Sequence, residues 1–234
     1  VEDAARQVRE SWMVPEGPIE NVTALLEDNG GVVIPCNFDS DLIDAVSQRI
    51  DGMPVLFFVN MNASADRIRY TLCHELGHMV LHTTTILDDD EMEAEADRFA
   101  AAFLLPEREF RRHVKRFDLR QVANLKRYWK VSMAAIAMRA FSLNLITPHQ
   151  KKMFFIQMSK LGYRKSEPYE PAKEKPQKIR HTLTYFRTVL DYSRAELAKS
   201  LFLPETKFER MYTFSEEGDT DSTSESGPYL RVVK

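Results

Sequence analysis

Two cysteines in 234 residues, Cys36 and Cys73, are too few and too scattered for a disulfide framework. That excludes the small secreted scaffolds held by such bonds and makes a reducing cytoplasm the expected setting. No apolar run approaches the roughly 20 residues of a membrane-spanning helix, and no basic stretch followed by an apolar one opens the chain, so neither a span nor a signal segment is expected. An excess of one charge is also lacking. The 32 basic and 35 acidic side chains leave a formal net charge of −3, which gives no global drive toward nucleic acid. The 44% of hydrophobic residues over 234 positions suffices for one substantial core and a small second unit.

Histidine is scarce too, six in all, yet two fall within one run, residues 74–78, His-Glu-Leu-Gly-His. The run lies inside an apolar stretch from Ile68 to Leu81 that reads as one helix. Positions i and i+4 stack on one helix face, so His74 and His78 can each present a ring nitrogen to a single ion. Glu75 then lies beside the open side of the metal, where it can take a proton from a bound water whose pKa zinc lowers to about 7. Glu75 is expected to act first as base and then as proton donor.

A site of this kind needs a third protein ligand and leaves the fourth position to water. Glu91, Glu93, Glu95 and His82 follow. His82 extends the i, i+4, i+8 series, but on a straight helix its Cα lies about 12 Å from that of His74, too far for one ion to reach all three. The polar run from Thr83 to Asp90 reverses the chain, and an alanine-rich helix from Glu91 to Leu105 returns across it, stopped near Pro106. On that helix Glu93 shares a face with Ala96, Asp97, Ala100 and Leu104, while Glu91 and Glu95 lie about 160° away. Small alanines permit close helix approach, so Glu93 is the expected third ligand, ahead of Glu91 and Glu95. Asp97, one turn on, can accept the free ring N–H of His74 or His78 and fix its tautomer; the alternative is an ordinary solvated aspartate. Two imidazoles, a carboxylate and water suit zinc, with manganese (Mn2+) as the alternative to Zn2+. Asp88, Asp89 and Asp90 supply charge favourable to the helix dipole.

The Glu-x-x-x-Asp spacing resembles the second half of the gluzincin pattern. Across roughly residues 2 to 165 the chain resembles the ImmA/IrrE family of bacterial metallopeptidases. The resemblance is carried by the zinc motif with Arg67-Ile68-Arg69-Tyr70-Thr71-Leu72 before it, and by Glu93-Ala94-Glu95-Ala96-Asp97-Arg98-Phe99-Ala100 and Leu104-Leu105-Pro106. Glu2-Asp3-Ala4-Ala5, Arg9, Trp12, Gly17-Pro18-Ile19, Leu125-Lys126, Val131-Ser132-Met133, Arg139-Ala140 and Leu161-Gly162-Tyr163-Arg164 add to it. It implies a zinc-dependent endopeptidase that cleaves, or otherwise relieves, a helix-turn-helix repressor to switch on stress genes or mobile elements. A metal-binding regulatory module that releases the repressor without cleavage is the competing reading, and the intact Glu75 argues against it. Many relatives carry an upstream helix-turn-helix domain of the XRE type. A chain that opens on Val1 fits the remainder of such a fusion, with DNA reached only indirectly or through that domain.

The fold class expected is α+β, a small antiparallel or mixed sheet packed on a zinc-binding helical hairpin, followed by a mostly helical C-terminal region. Helices are read over 2–12 and 18–28, the latter starting at Pro18, and strands over 32–34, 45–50 and 54–59 with Asp51-Gly52 as a hairpin turn. Further helices are read over 107–114, 119–129, 132–141, 150–161 and 179–192, with two short ones beyond. The basic residues between Arg108 and Lys130 are taken as a solvated face. Domains are expected at 1–165 (peptidase), 166–176 (a Pro, Glu and Lys-rich linker), 177–214 (a helical accessory region) and 215–234 (a disordered acidic tail). Cys73 reads as a small apolar helix residue. His113, His149, His181 and Tyr128 have the chemistry to stabilise an oxyanion, but their spacing brings none of them to the metal, and that role is unassigned.

Overall fold

The computed structural model describes residues 1–38, 43–82, 88–212 and 229–230. Three strands build the sheet core: β1 (Val32–Phe38), β2 (Ala45–Gln48) and β3 (Leu56–Asn60). β-Branched and aromatic residues alternate across them, so that Val33, Phe57 and Val59 enter the core. β1 runs parallel to β3, with Val32 opposite Leu56 and Cys36 opposite Asn60. β2 runs antiparallel to β3, with Ala45 opposite Val59 and Gln48 opposite Leu56. The sheet is therefore mixed. The link between β2 and β3 turns at Gly52, which takes φ +77°, and Met53 N donates to Ile50 O across the turn at 3.0 Å. The two-residue strand β4 (Tyr229–Leu230) pairs parallel with Asn37 and Phe38, giving the order β2-β3-β1-β4 and leaving β2 on an edge. Most of the expected acidic tail lies outside the described residues.

Helices α1 (Glu2–Ser11) and α2 (Val22–Asp28) precede the sheet. α2 starts a turn later than Pro18 suggests, because Asn21 is the N-cap, its side chain accepting from Ala24 N at 2.8 Å. The carbonyls of Ile19 and Glu20 are thereby free to receive the buried Arg69. α3 (Ala65–Leu81) and α4 (Asp89–Leu104) form a helical hairpin whose connecting residues 83–87 lie outside the described residues. The two helices meet at Gly77. A Cβ there would stand 3.1 Å from Ala96 Cα and 3.2 Å from Ala96 O, so the glycine inside the zinc motif serves the close approach of α4. Ala96, Phe99, Ala100, Phe103 and Leu104 bury the facing side of α4.

α5 (Glu107–His113), α6 (Leu119–Trp129), α7 (Met133–Ser142) and α8 (Pro148–Lys160) close the core around Phe110, Trp129, Ile136 and Phe154. Arg108, Arg111 and Arg112 keep the solvated positions expected of them, each paired with a glutamate. Lys126 does not. It is 1% exposed and donates to Asp66 at 2.5 Å and Glu167 at 2.8 Å.

Residues 166–177 lie across the ends of three helices. Glu167 accepts from Met133 N at 2.7 Å at the start of α7, Glu170 from Ala65 N at 3.0 Å at the start of α3, and Glu174 from Thr23 N at 2.8 Å at the start of α2. Glu174 also pairs with Arg69. α9 (Lys178–Thr188), α10 (Arg194–Ser200) and α11 (Glu205–Met211) follow, with Leu183, Leu197, Ala198 and Phe208 as their own small core. α9 stops at Thr188 rather than 192, since Asp191 adopts φ +59° and Ser193 begins a capping box with Glu196. Among the described residues no helix is long and apolar enough to cross a membrane.

Candidate metal centre

The 3.6-residue period of α3 stacks His74 over His78, and the tight crossing at Gly77 and Ala96 brings α4 alongside. His74 Nε2 and His78 Nε2 face each other at 3.0 Å. Glu93 of α4 closes the triangle, with Oε2 at 3.2 Å from His74 Nε2 and Oε1 at 3.3 Å from His78 Nε2. Among the described residues this is the one group of His, Cys, Asp and Glu whose atoms converge closely enough to hold a metal ion. The donor chemistry fits zinc, because a tetrahedral site with metal–ligand bonds of about 2.0–2.1 Å has edges of about 3.3 Å.

Asp97 Oδ1 lies 3.0 Å from His74 Nδ1. An ionised carboxylate only accepts, so Nδ1 carries the proton and Nε2 presents its lone pair toward His78 and Glu93. Burial would lower the pKa of His74, but the hydrogen bond and charge of Asp97, with Glu93 and Glu75, outweigh it and raise the value. His78 moves the other way, lowered by burial and by the neighbouring His74. Glu91 contributes no contact to the cluster, whereas Glu95 reaches His82 Nε2 at 3.2 Å. His82, set aside as a ligand for its reach, lies against the centre: its Nδ1 is 3.1 Å from His78 Nδ1.

Glu75 lies between the two histidines along α3, on the flank that meets the edge strand. Ser47 of β2 donates both its backbone N–H, at 2.9 Å, and its hydroxyl, at 2.6 Å, to Glu75 Oε2. Ser47 was not singled out from sequence. Its signal is visible only once β2 is known to be an edge strand beside α3, because one serine among polar residues carries no periodicity. On the other flank a cleft of about 940 Å³ begins at Asp97 and Tyr70 and runs between α3, α4, α7 and α8, with Arg67, Arg98, Arg164 and Lys165 on its walls. Tyr70 Oη donates to Asp97 O at 3.1 Å.

The four residues with oxyanion chemistry stay apart from this centre. His113 stacks on Tyr128 with ring centroids 4.8 Å apart and lies edge-on to Trp129, while His149 and His181 are exposed on α8 and α9. Cys73 is fully buried and burial pushes its thiol up to about 12, the state of a small apolar residue.

Residues 26–141 match a peptidase family described as the IrrE N-terminal-like domain. No curated protein matches the chain significantly. Among solved structures, a Mycobacterium tuberculosis transcriptional regulator is similar at 19% identity with a TM-score of 0.41; the match covers 64% of this chain and spans 50% of that one.

Proposed function

We propose that this chain, which belongs to the IrrE N-terminal-like peptidase family, is a zinc-dependent endopeptidase that cleaves a transcriptional regulator. The substrate class expected from the family resemblance is a helix-turn-helix repressor, whose loss would switch on stress-response or mobile-element genes. The observation that carries the hydrolytic reading is the position of Glu75: beside the His74–His78–Glu93 triangle yet outside it, held by Ser47 instead of by a ligand.

His74, His78 and Glu93 would hold the ion, and zinc bound there supplies a polarised carbonyl and a water acidic enough to deprotonate near pH 7. Ser47 fixes Glu75 through one oxygen, Oε2, and no hydrogen bond reaches Oε1 among the described residues. Oε1 is the atom that takes the proton of the attacking water and passes it to the leaving amine nitrogen. β2 is the edge strand on this side of the sheet, and apart from the Ser47 N–H that Glu75 takes, its outer edge can accept an extended substrate as an added strand with the scissile carbonyl above α3. Asp97 holds the His74 ring in the tautomer that ligation requires.

The test compares wild type, Glu75→Gln and Glu93→Ala for zinc content by mass spectrometry and for repressor cleavage on co-expression. Stoichiometric zinc in wild type and Glu75→Gln, with cleavage by wild type alone, is the expected result. Relief of repression by Glu75→Gln without cleavage would replace the peptidase by a binding module. Wild type without zinc after addition at neutral pH would remove both readings.

A further inference from the structure

The C-cap of α3 is a histidine whose side chain is 5% exposed and whose two nitrogens are both engaged, Nδ1 with His78 and Nε2 with Glu95. Proton bookkeeping along this chain allows one assignment when His78 ligates through Nε2. With its Nε2 lone pair on the ion, neutral His78 carries its proton on Nδ1. Nδ1 therefore donates across the 3.1 Å to His82 Nδ1, which must be bare. His82 then carries its proton on Nε2 and donates it across 3.2 Å to the Glu95 carboxylate, which can only accept. Every donor in the series has one acceptor and no nitrogen is left in conflict.

We propose that His82 and Glu95 are positioning residues of the metal centre: they fix the tautomer and ring orientation of His78, as Asp97 does directly for His74. The proposal rests on the metal-site reading above. The two ligand histidines are thus held by carboxylates of the same helix, α4, one in direct contact and one through an intervening imidazole. The geometry explains why. Asp97 lies on the Glu93 face of α4, one turn beyond it, and reaches His74 without help. Glu95 lies across the helix from Glu93 and needs the ring of His82 to span the gap to His78. Arg98 closes the outer end at 3.5 Å from Glu95 Oε1. A histidine placed only to cap the helix C-terminus would be indifferent to the protonation of His78 and would need no carboxylate on its far nitrogen.

The test measures zinc affinity by chelator competition for the whole chain as wild type, His82→Leu, His82→Gln and Glu95→Ala, with the histidine tautomers of the zinc-loaded wild type read by 15N NMR. The expected loss is about 10–100-fold for His82→Leu, as for other partners that orient metal-bound histidines. His82→Gln keeps an acceptor for His78 Nδ1–H and stays nearer wild type, Glu95→Ala falls between, and His82 carries its proton on Nε2. Equal losses in His82→Leu and His82→Gln would assign the effect to packing and overturn the proposal. So would undiminished affinity in His82→Leu, or a zinc-loaded wild type with His82 protonated on Nδ1. A wild type that binds no zinc would instead sink the metal-site reading itself, an outcome separable from the others because it precedes any variant.

Discussion

Two acidic segments of this chain look alike in sequence and do opposite things with their charge. In α4, Glu93 and Asp97 are 63% and 62% exposed and turn toward imidazoles, with no lysine or arginine paired to either among the described residues. In the strap over residues 166–177, Glu167 and Glu174 are pulled inward onto backbone N–H groups and onto Lys126 and Arg69, cations that are each 1% exposed. The difference teaches how to tell a carboxylate that holds the fold from one that is available to an ion. The first is satisfied by donors and a cation within the chain; the second converges with neutral donors and keeps its charge uncompensated.

The largest effect that would break this comparison is an exchange of phenotypes. Glu174→Ala leaves Arg69 buried with only the carbonyls of Ile19, Glu20 and Lys130. Stranding one partner of a buried pair costs about 3–5 kcal/mol, and those three carbonyls place this case near 3. A melting curve should therefore drop by roughly 6–12 °C for a chain of this size. Glu93→Ala should empty the site completely while moving the metal-free melting point by less than about 0.5 kcal/mol equivalent, as exposed substitutions do. If Glu174→Ala lost zinc with its melting point intact, or Glu93→Ala melted the metal-free fold, the division would be wrong.

The parts legible in sequence are those with local signals. The motif helix, the return helix, a small sheet and the Gly52 turn follow from period, composition and turn chemistry, and the alanine-lined face of α4 carries Glu93 and Asp97, which lie beside His74. What was hidden depends on contacts distant in sequence. Arg9 enters the sequence reading only as a position of the family resemblance, yet it donates to Phe103 O, Pro15 O and Gly17 O from a buried position. Lys126 hides among basic neighbours for the same reason. The prolines and charges of the strap suggest a linker, because composition cannot reveal that its glutamates meet helix N-termini. Reach to the ion excludes His82 as a ligand, and nothing local in sequence points to the partners its two nitrogens find in His78 and Glu95.

Acid sharpens the comparison. The Asp66 carboxyl would be raised by burial, but hydrogen bonds from Lys126 and Ser64 outweigh this and hold it below its ordinary range. A depressed carboxylate contributes stability above its unfolded value of about 3.9 and loses it as pH falls through the lower folded value. His74 carries the opposite sign. Its raised value in the metal-free protein contributes stability that is full below the ordinary 6.5 and lost as pH rises through the folded value. A proton on that ring also bars ligation, so on acidification zinc affinity should begin to fall while the pH is still above 6.5, by about tenfold per pH unit lowered for each proton displaced. Titration from pH 8 should therefore weaken zinc binding while circular dichroism is unchanged, with the helical signal yielding only below about pH 4. Coincident loss of both would tie the two regions together.

Glu170 supplies the smallest and finest test, because it belongs to the strap in sequence but to the solvent in burial. Its Oε1 accepts from Ala65 N at the first turn of α3, the helix that carries the zinc motif, and no cation is paired with it among the described residues. An exposed charge at a helix N-terminus is worth about 0.3–1 kcal/mol and is screened by salt. Glu170→Ala should accordingly lower the melting point by roughly 1–4 °C at low ionic strength, less at high salt, and leave zinc stoichiometry unchanged. His74 lies more than two turns beyond Ala65, outside the reach of a terminal charge. A larger loss, on the scale of Glu174→Ala, would mean that the strap folds as one unit whose members cannot be weighed by their own burial, and the distinction between paired and available carboxylates would then have to be drawn for segments and not for residues.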